Sequence, residues 1–131
     1  MRYALSCAMV LLLSLPAVAQ SVDTRSHDTL IPASDLDDLL RGQELIFFDD
    51  GVSHFYNDGR YTYAYDLGEG GYAYGYFEIT DDSTVCVDFI TGAARCDALV
   101  ENDGRLILIT GSGDRFPVRE TRDAGPDPAM Q

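Results

Sequence analysis

The feature that most constrains this chain is its punctuation. From Gln43 onward, turn chemistry recurs every eight to twelve residues: Asp49-Asp50-Gly51, Asn57-Asp58-Gly59, Leu67 to Gly71, Asp81-Asp82-Ser83, Thr91-Gly92, Asn102-Asp103-Gly104 and Gly111 to Asp114. The aromatic and β-branched runs between them predict strands over 43–48, 52–57, 60–66, 71–79, 84–90, 94–101, 105–110 and 115–120. Connections this short join only neighbouring antiparallel strands, because a parallel crossover needs a dozen or more residues. The expected fold is therefore all-β, an antiparallel up-and-down meander of seven or eight strands. Strong curvature or closure into a small barrel is expected, since an open meander leaves two unprotected edges.

Ahead of the strands, Ser34 precedes Asp35, Leu36, Asp37, Asp38, Leu39, Leu40 and Arg41, with Gly42 behind. A capping hydroxyl, acids in the first turn, Arg in the last and a glycine stop predict one short N-terminal helix over 35–41. Its leucines at i, i+3 and i+4 form an apolar face suited to covering one opening or edge of the sheet. Residues 20–33 read as a flexible leader, 34–120 as a single β domain and 121–131 as a disordered tail. Residues 1–19 carry Arg2, an apolar run from Ala8 to Leu15, then Pro16 and Ala17-Val18-Ala19. This pattern reads as a secretory signal peptide with cleavage after Ala19, which places the mature chain in the periplasm or outside the cell. The apolar run falls short of the roughly 20 residues that cross a bilayer. No stable membrane insertion is expected after cleavage.

The whole chain carries 22 Asp and Glu against 9 basic residues, all of them Arg, for a net charge of -13. Nucleic acid is thereby excluded as a nonspecific partner, because phosphates would be repelled. Beyond the signal segment, Cys86 and Cys96 remain. In an oxidising compartment they read as a disulfide, with two reduced core thiols as the alternative. If Ile90, Thr91 and Gly92 form a three-residue loop with Gly92 in the left-handed position, Phe89 faces Ala93 and Cys86 faces Cys96.

Tyrosines alternate along two successive strands, as Tyr61, Tyr63 and Tyr65, then Tyr72, Tyr74 and Tyr76. A four-residue loop from Leu67 to Gly70 would set 65 opposite 72, 63 opposite 74 and 61 opposite 76, placing all six on one face. Two readings follow. Either the tyrosines fill the core with their hydroxyls at its margin, or they form an exposed platform for a glycan or peptide.

Motifs of catalysis are weak. Gly68-Glu69-Gly70-Gly71-Tyr72-Ala73 fits G-x-G-x-x-A, but a strand follows it and no βαβ unit surrounds it, so it reads as a hairpin loop and no cofactor is implied. The Asp-Gly turns lack the spacing of a calcium loop, and no metal is expected. His54 lies beside Ser53, yet Gly111-Ser112-Gly113 is no nucleophile elbow. His54 therefore reads as a half-buried strand residue.

With the short helix, the hairpin turns, Val85-Cys86-Val87-Asp88-Phe89, Gly92, Arg95-Cys96-Asp97 and Gly113-Asp114-Arg115-Phe116-Pro117-Val118, residues 34–119 resemble small exported β-proteins of alphaproteobacteria that have no assigned activity. The resemblance implies compartment, fold and disulfide, and carries over no functional residues. The expected function is a nonenzymatic binding protein whose partner is a basic envelope protein, for instance a wall hydrolase, or a glycan. The alternatives are a purely structural acidic envelope protein and a carboxylate-dependent envelope hydrolase.

Overall fold

A computed structural model describes residues 22–125. Residues 1–21, which include the expected signal peptide, and residues 126–131 of the expected tail lie outside the described residues. The elements are β1 (Asp28–Leu30), α1 (Ala33–Leu40), β2 (Gln43–Phe47), β3 (Val52–Phe55), β4 (Arg60–Ala64), β5 (Tyr72–Ile79), β6 (Thr84–Phe89), β7 (Ala94–Asn102), β8 (Arg105–Thr110) and β9 (Arg115–Asp123). All eight strands expected from the turns are present. Each of β2 to β9 pairs antiparallel with its neighbour in sequence, and β9 returns to β2, closing an eight-stranded up-and-down barrel. The seam runs from Gln43 opposite Asp123 to Ile46 opposite Glu120, then shifts register so that Phe47 faces Val118. Such a bulge adds local twist, which closure requires. Gly75 serves the same end: the β5 and β6 backbones approach so closely there that a Cβ would collide with the Asp88 carbonyl oxygen.

Alternate residues of the strands point inward. Leu45, Phe47, Phe55, Tyr61, Phe77, Val85, Val87, Leu99, Leu108 and Val118 form one core with Leu36 and Leu40 of α1. The helix leads into β2 and packs on β2, β5 and β6, so it stops one end of the barrel as expected. It begins at Ala33, two residues before the expected start, with Pro32 as its N-cap. Ser34 lies inside the first turn and bonds Asp35, while the amide of Ala33 donates to the Ser83 hydroxyl, 2.9 Å away in the β5–β6 turn. A side chain fifty residues downstream thus takes the role assigned to Ser34. The stop behaves as expected, with Gly42 at φ +77°.

Two terminal expectations need correction. Within the expected leader, Asp28–Leu30 form β1, which pairs with the far half of β7, Leu30 opposite Val100. Val22 covers Val100, Ile107 and Ile109 on the outside of the barrel. Asp28, its side chain fully buried, takes both Nη groups of Arg115 at 2.8 Å and the Asn102 amide at 2.7 Å. Local composition hid this strand because its pairing is entirely long-range. At the other end, Thr121 to Asp123 continue β9 along β2 and are not a tail.

Candidate functional site

The β6–β7 hairpin forms with the register counted from Gly92. The Phe89 amide donates to the Ala93 carbonyl at 2.8 Å, and Cys86 faces Cys96 in a disulfide. Counting outward from that hydrogen-bonded pair, 86 and 96 form a non-hydrogen-bonded pair, the closer of the two antiparallel classes. Their Cα atoms are 4.0 Å apart. The bridge lies on the outer face, because Val85 and Val87 occupy the inner one.

The tyrosine hairpin differs from expectation by one residue. Tyr61 pairs with Gly75, Thr62 with Tyr74, Tyr63 with Ala73 and Ala64 with Tyr72. The connection spans residues 65 to 71 because Asp66–Gly68 forms a 3-10 turn with Leu67 at φ 51°. One extra loop residue reverses the facing of every side chain on one strand relative to the other. The six tyrosines therefore do not share a face. Tyr61 and Tyr63 point inward, and Tyr72, Tyr74 and Tyr76 point outward with 55%, 51% and 61% of their surface exposed. Tyr65 stands exposed at the barrel rim, edge-on to Tyr63 at 4.8 Å.

Tyrosines inside the barrel and tyrosines facing water thus sit on different strands. On the outer face, Tyr72 and Tyr74 stack at 6.2 Å, and the Ile90 amide donates to the Tyr74 carbonyl, which brings the exposed Ile90 beside that ring. Tyr76 lies between Arg60 of β4 and Asp88 of β6, and Glu78 lies beside the disulfide. The result is an aromatic ridge along β5 with acids on its β6 side.

Inside, Tyr61 is 1% exposed and its hydroxyl lies 2.9 Å from that of Ser53, itself fully buried. Desolvation raises the Tyr61 pKa, and burial with the nearby Asp49 carboxylate pushes Tyr63 up to about 12. The Tyr63 hydroxyl has room only because Gly51 has no side chain where it lies. Toward the same end, Arg95 on β7 donates Nε–H to Asp97 Oδ2 at 2.8 Å. Asp97 is 1% exposed, and its Oδ1 has no hydrogen-bond partner among the described residues. Burial raises the Asp97 pKa, while Arg95 opposes the shift.

The connections β2–β3, β4–β5, β6–β7 and β8–β9 all gather at the end opposite α1. That end holds a pocket of about 50 Å³ lined by Phe47, Ser53, Tyr63, Arg95, Leu108, Thr110 and Phe116. Phe47 and Phe116 meet edge-on at 6.3 Å along one wall. Around it the connections expose Phe48, Tyr65, Leu67 and Ile90. The barrel therefore has one stopped end and one open, apolar-rimmed end. Sequence reasoning did not find the Arg95–Asp97 pair. The available signal was the outward disulfide, since strand alternation then turns both neighbours of Cys96 inward.

His54 is half-buried, as expected of a strand residue. Its ring stacks on Tyr56 at 3.7 Å and its Nδ1 lies 3.5 Å from Glu44, which also holds Arg122 at 2.7 Å. Desolvation lowers its pKa, with Glu44 opposing. His54 and Ser53 are successive strand residues on opposite faces, so the serine hydroxyl inside the barrel is out of reach of the imidazole outside it. No three His, Cys, Asp or Glu side chains among the described residues converge to hold a metal ion. No described helix is long and apolar enough to cross a membrane.

Fold and site together define a small disulfide-bonded antiparallel barrel, stopped at one end and open at the other. Comparison with known proteins finds no family model, no curated protein and no solved structure that matches this chain.

Proposed function

We propose that the chain is an exported, nonenzymatic binding protein that meets a basic partner through the tyrosine ridge of β5. The observation that carries this reading is the exposure of Tyr72, Tyr74 and Tyr76 side by side on one strand, continued by Ile90. Tyrosines on a rigid strand supply large contact area at low entropic cost, and a contiguous aromatic patch facing water marks an interaction surface. Charge supplies the class of partner. Arg41, Arg60, Arg95, Arg115, Arg119 and Arg122 all pair with carboxylates of this same chain, so the acidic surplus faces outward. Such a field speeds encounter with a basic protein and makes binding fall with salt. Export is supported by the disulfide, which persists in oxidising compartments. A wall hydrolase is one concrete partner of this charge.

The test is binding of the purified protein to a lysozyme-type basic enzyme by calorimetry at low and high salt, alongside the Y72S/Y74S/Y76S variant. Binding that weakens with salt and is lost in the variant supports the proposal. Binding that ignores the three tyrosines, or no binding at low salt, overturns it.

A further inference from the structure

We infer that the pocket at the open end is a binding site for a neutral amide carbonyl group, of the kind carried by an acetamido substituent, with Arg95 as donor. The site lies inside the barrel, apart from the outer ridge of β5, and stands independently of the partner proposed for that ridge.

The argument begins with hydrogen-bond supply. A guanidinium has five N–H groups. Arg95 gives Nε–H to Asp97, and it lines the pocket with 37% of its side chain exposed. The Thr110 and Ser53 hydroxyls that also line the pocket are already engaged, Thr110 with Ser112 and the Asp114 amide, Ser53 with Tyr61. What the pocket has to offer is therefore mainly donors in search of an acceptor.

Charge then selects among acceptors. Asp97 sits 2.8 Å from Arg95 and offsets its charge, and the chain as a whole is at -13. A carboxylate or phosphate would enter a compensated site against a repulsive field. A carbonyl oxygen accepts from the guanidinium without that cost.

Size and wall chemistry complete the fit. One water needs about 10 to 15 Å³ of such space. The pocket's 50 Å³ thus matches three or four heavy atoms, the size of an acetamido group. Phe47, Leu108 and Phe116 give apolar walls for its methyl carbon, with Arg95 placed for its oxygen. Specific pockets pair mostly apolar walls with a few placed polar groups in this way.

The amide could come from an N-acetylated sugar or from a peptide, and the experiment separates them. Two-dimensional proton–nitrogen NMR of the purified protein, including the Arg95 Nε–H signal, is followed on titration with N-acetylglucosamine, N-acetylglycinamide, glucosamine and sodium acetate. Both acetamido probes are expected to shift Arg95 Nε–H and the Ser53 and Thr110 amides. Glucosamine and acetate are expected to leave them in place. Tighter binding of the sugar assigns a glycan source, and tighter binding of the dipeptide analogue a peptide source, and either supports the inference. In R95Q/D97N, which removes both charges and the guanidinium donors, affinity for the acetamido probes should fall about tenfold or more. The amides of α1, at the opposite end of the barrel, should keep their wild-type positions in R95Q/D97N, which controls for damage to the fold. Acetate binding more tightly than the acetamido probes, or no shift with either acetamido probe in the wild-type protein, overturns the inference.

Discussion

Inside the barrel the hydroxyl of Tyr61 lies 2.9 Å from that of Ser53, and neither residue has another face to turn to, both being buried. Y61F keeps the ring among Phe55 and Phe89 but leaves the serine without this partner. A loss of about 1 to 2 kcal/mol is expected, read as a lower denaturant midpoint at unchanged slope. S53A/Y61F, which removes both hydroxyls, should recover part of that loss, and a double-mutant cycle measures the coupling.

Nitration of the folded protein with tetranitromethane, mapped by peptide, should modify Tyr65, Tyr72, Tyr74 and Tyr76 and spare Tyr61. The contrast follows from a hairpin register that turns one set of rings out and the other in. Modification of Tyr61 before denaturation would contradict the register. In an alkaline titration followed by phenolate absorbance, Tyr61 and Tyr63 should ionise last, Tyr63 at about 12. The folded state holds these protons more tightly than the unfolded chain, so their contribution is fully present below the ordinary tyrosine value and is lost as pH rises from there through the raised folded value.

Arg95 and Asp97 are unequal partners. R95A strands a carboxylate that is 1% exposed, whereas D97A strands a guanidinium that is 37% exposed and reaches water. R95A should cost about 2 to 3 kcal/mol and D97A about 1 to 2, the figures for a fully buried pair being reduced for solvent screening at Arg95. The R95A deficit should shrink in acid. Burial raises the Asp97 pKa in the folded protein, so the folded state takes up a proton before the unfolded chain does as pH falls.

Asp28 governs the leader. Its hydrogen bonds to Arg115, Asn102 and the Arg25 amide hold its pKa far below the usual carboxylate range of about 3.8. The stabilisation it gives is therefore present above that value and lost as pH falls below it. D28N should leave the barrel intact and loosen β1, which hydrogen exchange would register as faster exchange of the Ile31 amide now bonded to Leu99.

Removal of the disulfide by C86A/C96A should cost roughly 2 to 3 kcal/mol, the loop-closure value for so short a ring. Thermal unfolding with and without the bridge tests it. Because the cysteines face outward, no cavity in the core should accompany the change.

How far the chain could be read in advance follows from the range of the forces involved. The eight strands were legible because each turn is specified within a few residues, and the Cys86–Cys96 pairing was legible because Gly92 fixes a tight loop. The β4–β5 register was not, since Gly68, Gly70 and Gly71 allow several loop geometries and the adopted one depends on Leu67 in a left-handed conformation. With Asp66 also left-handed, this loop decided which tyrosines could form a surface. The helix start was displaced by Ser83, and β1 was set by β7 and Arg115, none of which is a neighbour in sequence. The open-end pocket is less legible still, because Phe47, Arg95 and Phe116 meet only once the barrel has closed.

The seam between β2 and β9 makes timing part of the design. Gln43 and Asp123, eighty residues apart, donate and accept across it. Closure over that distance is the longest-range pairing in the sheet, and pairings of long range close at the greatest entropic cost, so β2 waits for β9. Until β9 arrives, β2 and β8 are two bare edges of an unfinished ribbon, open to pairing with another chain. Whatever this protein meets in its mature form, its most vulnerable encounter is with a copy of itself, in the interval before the circle is complete.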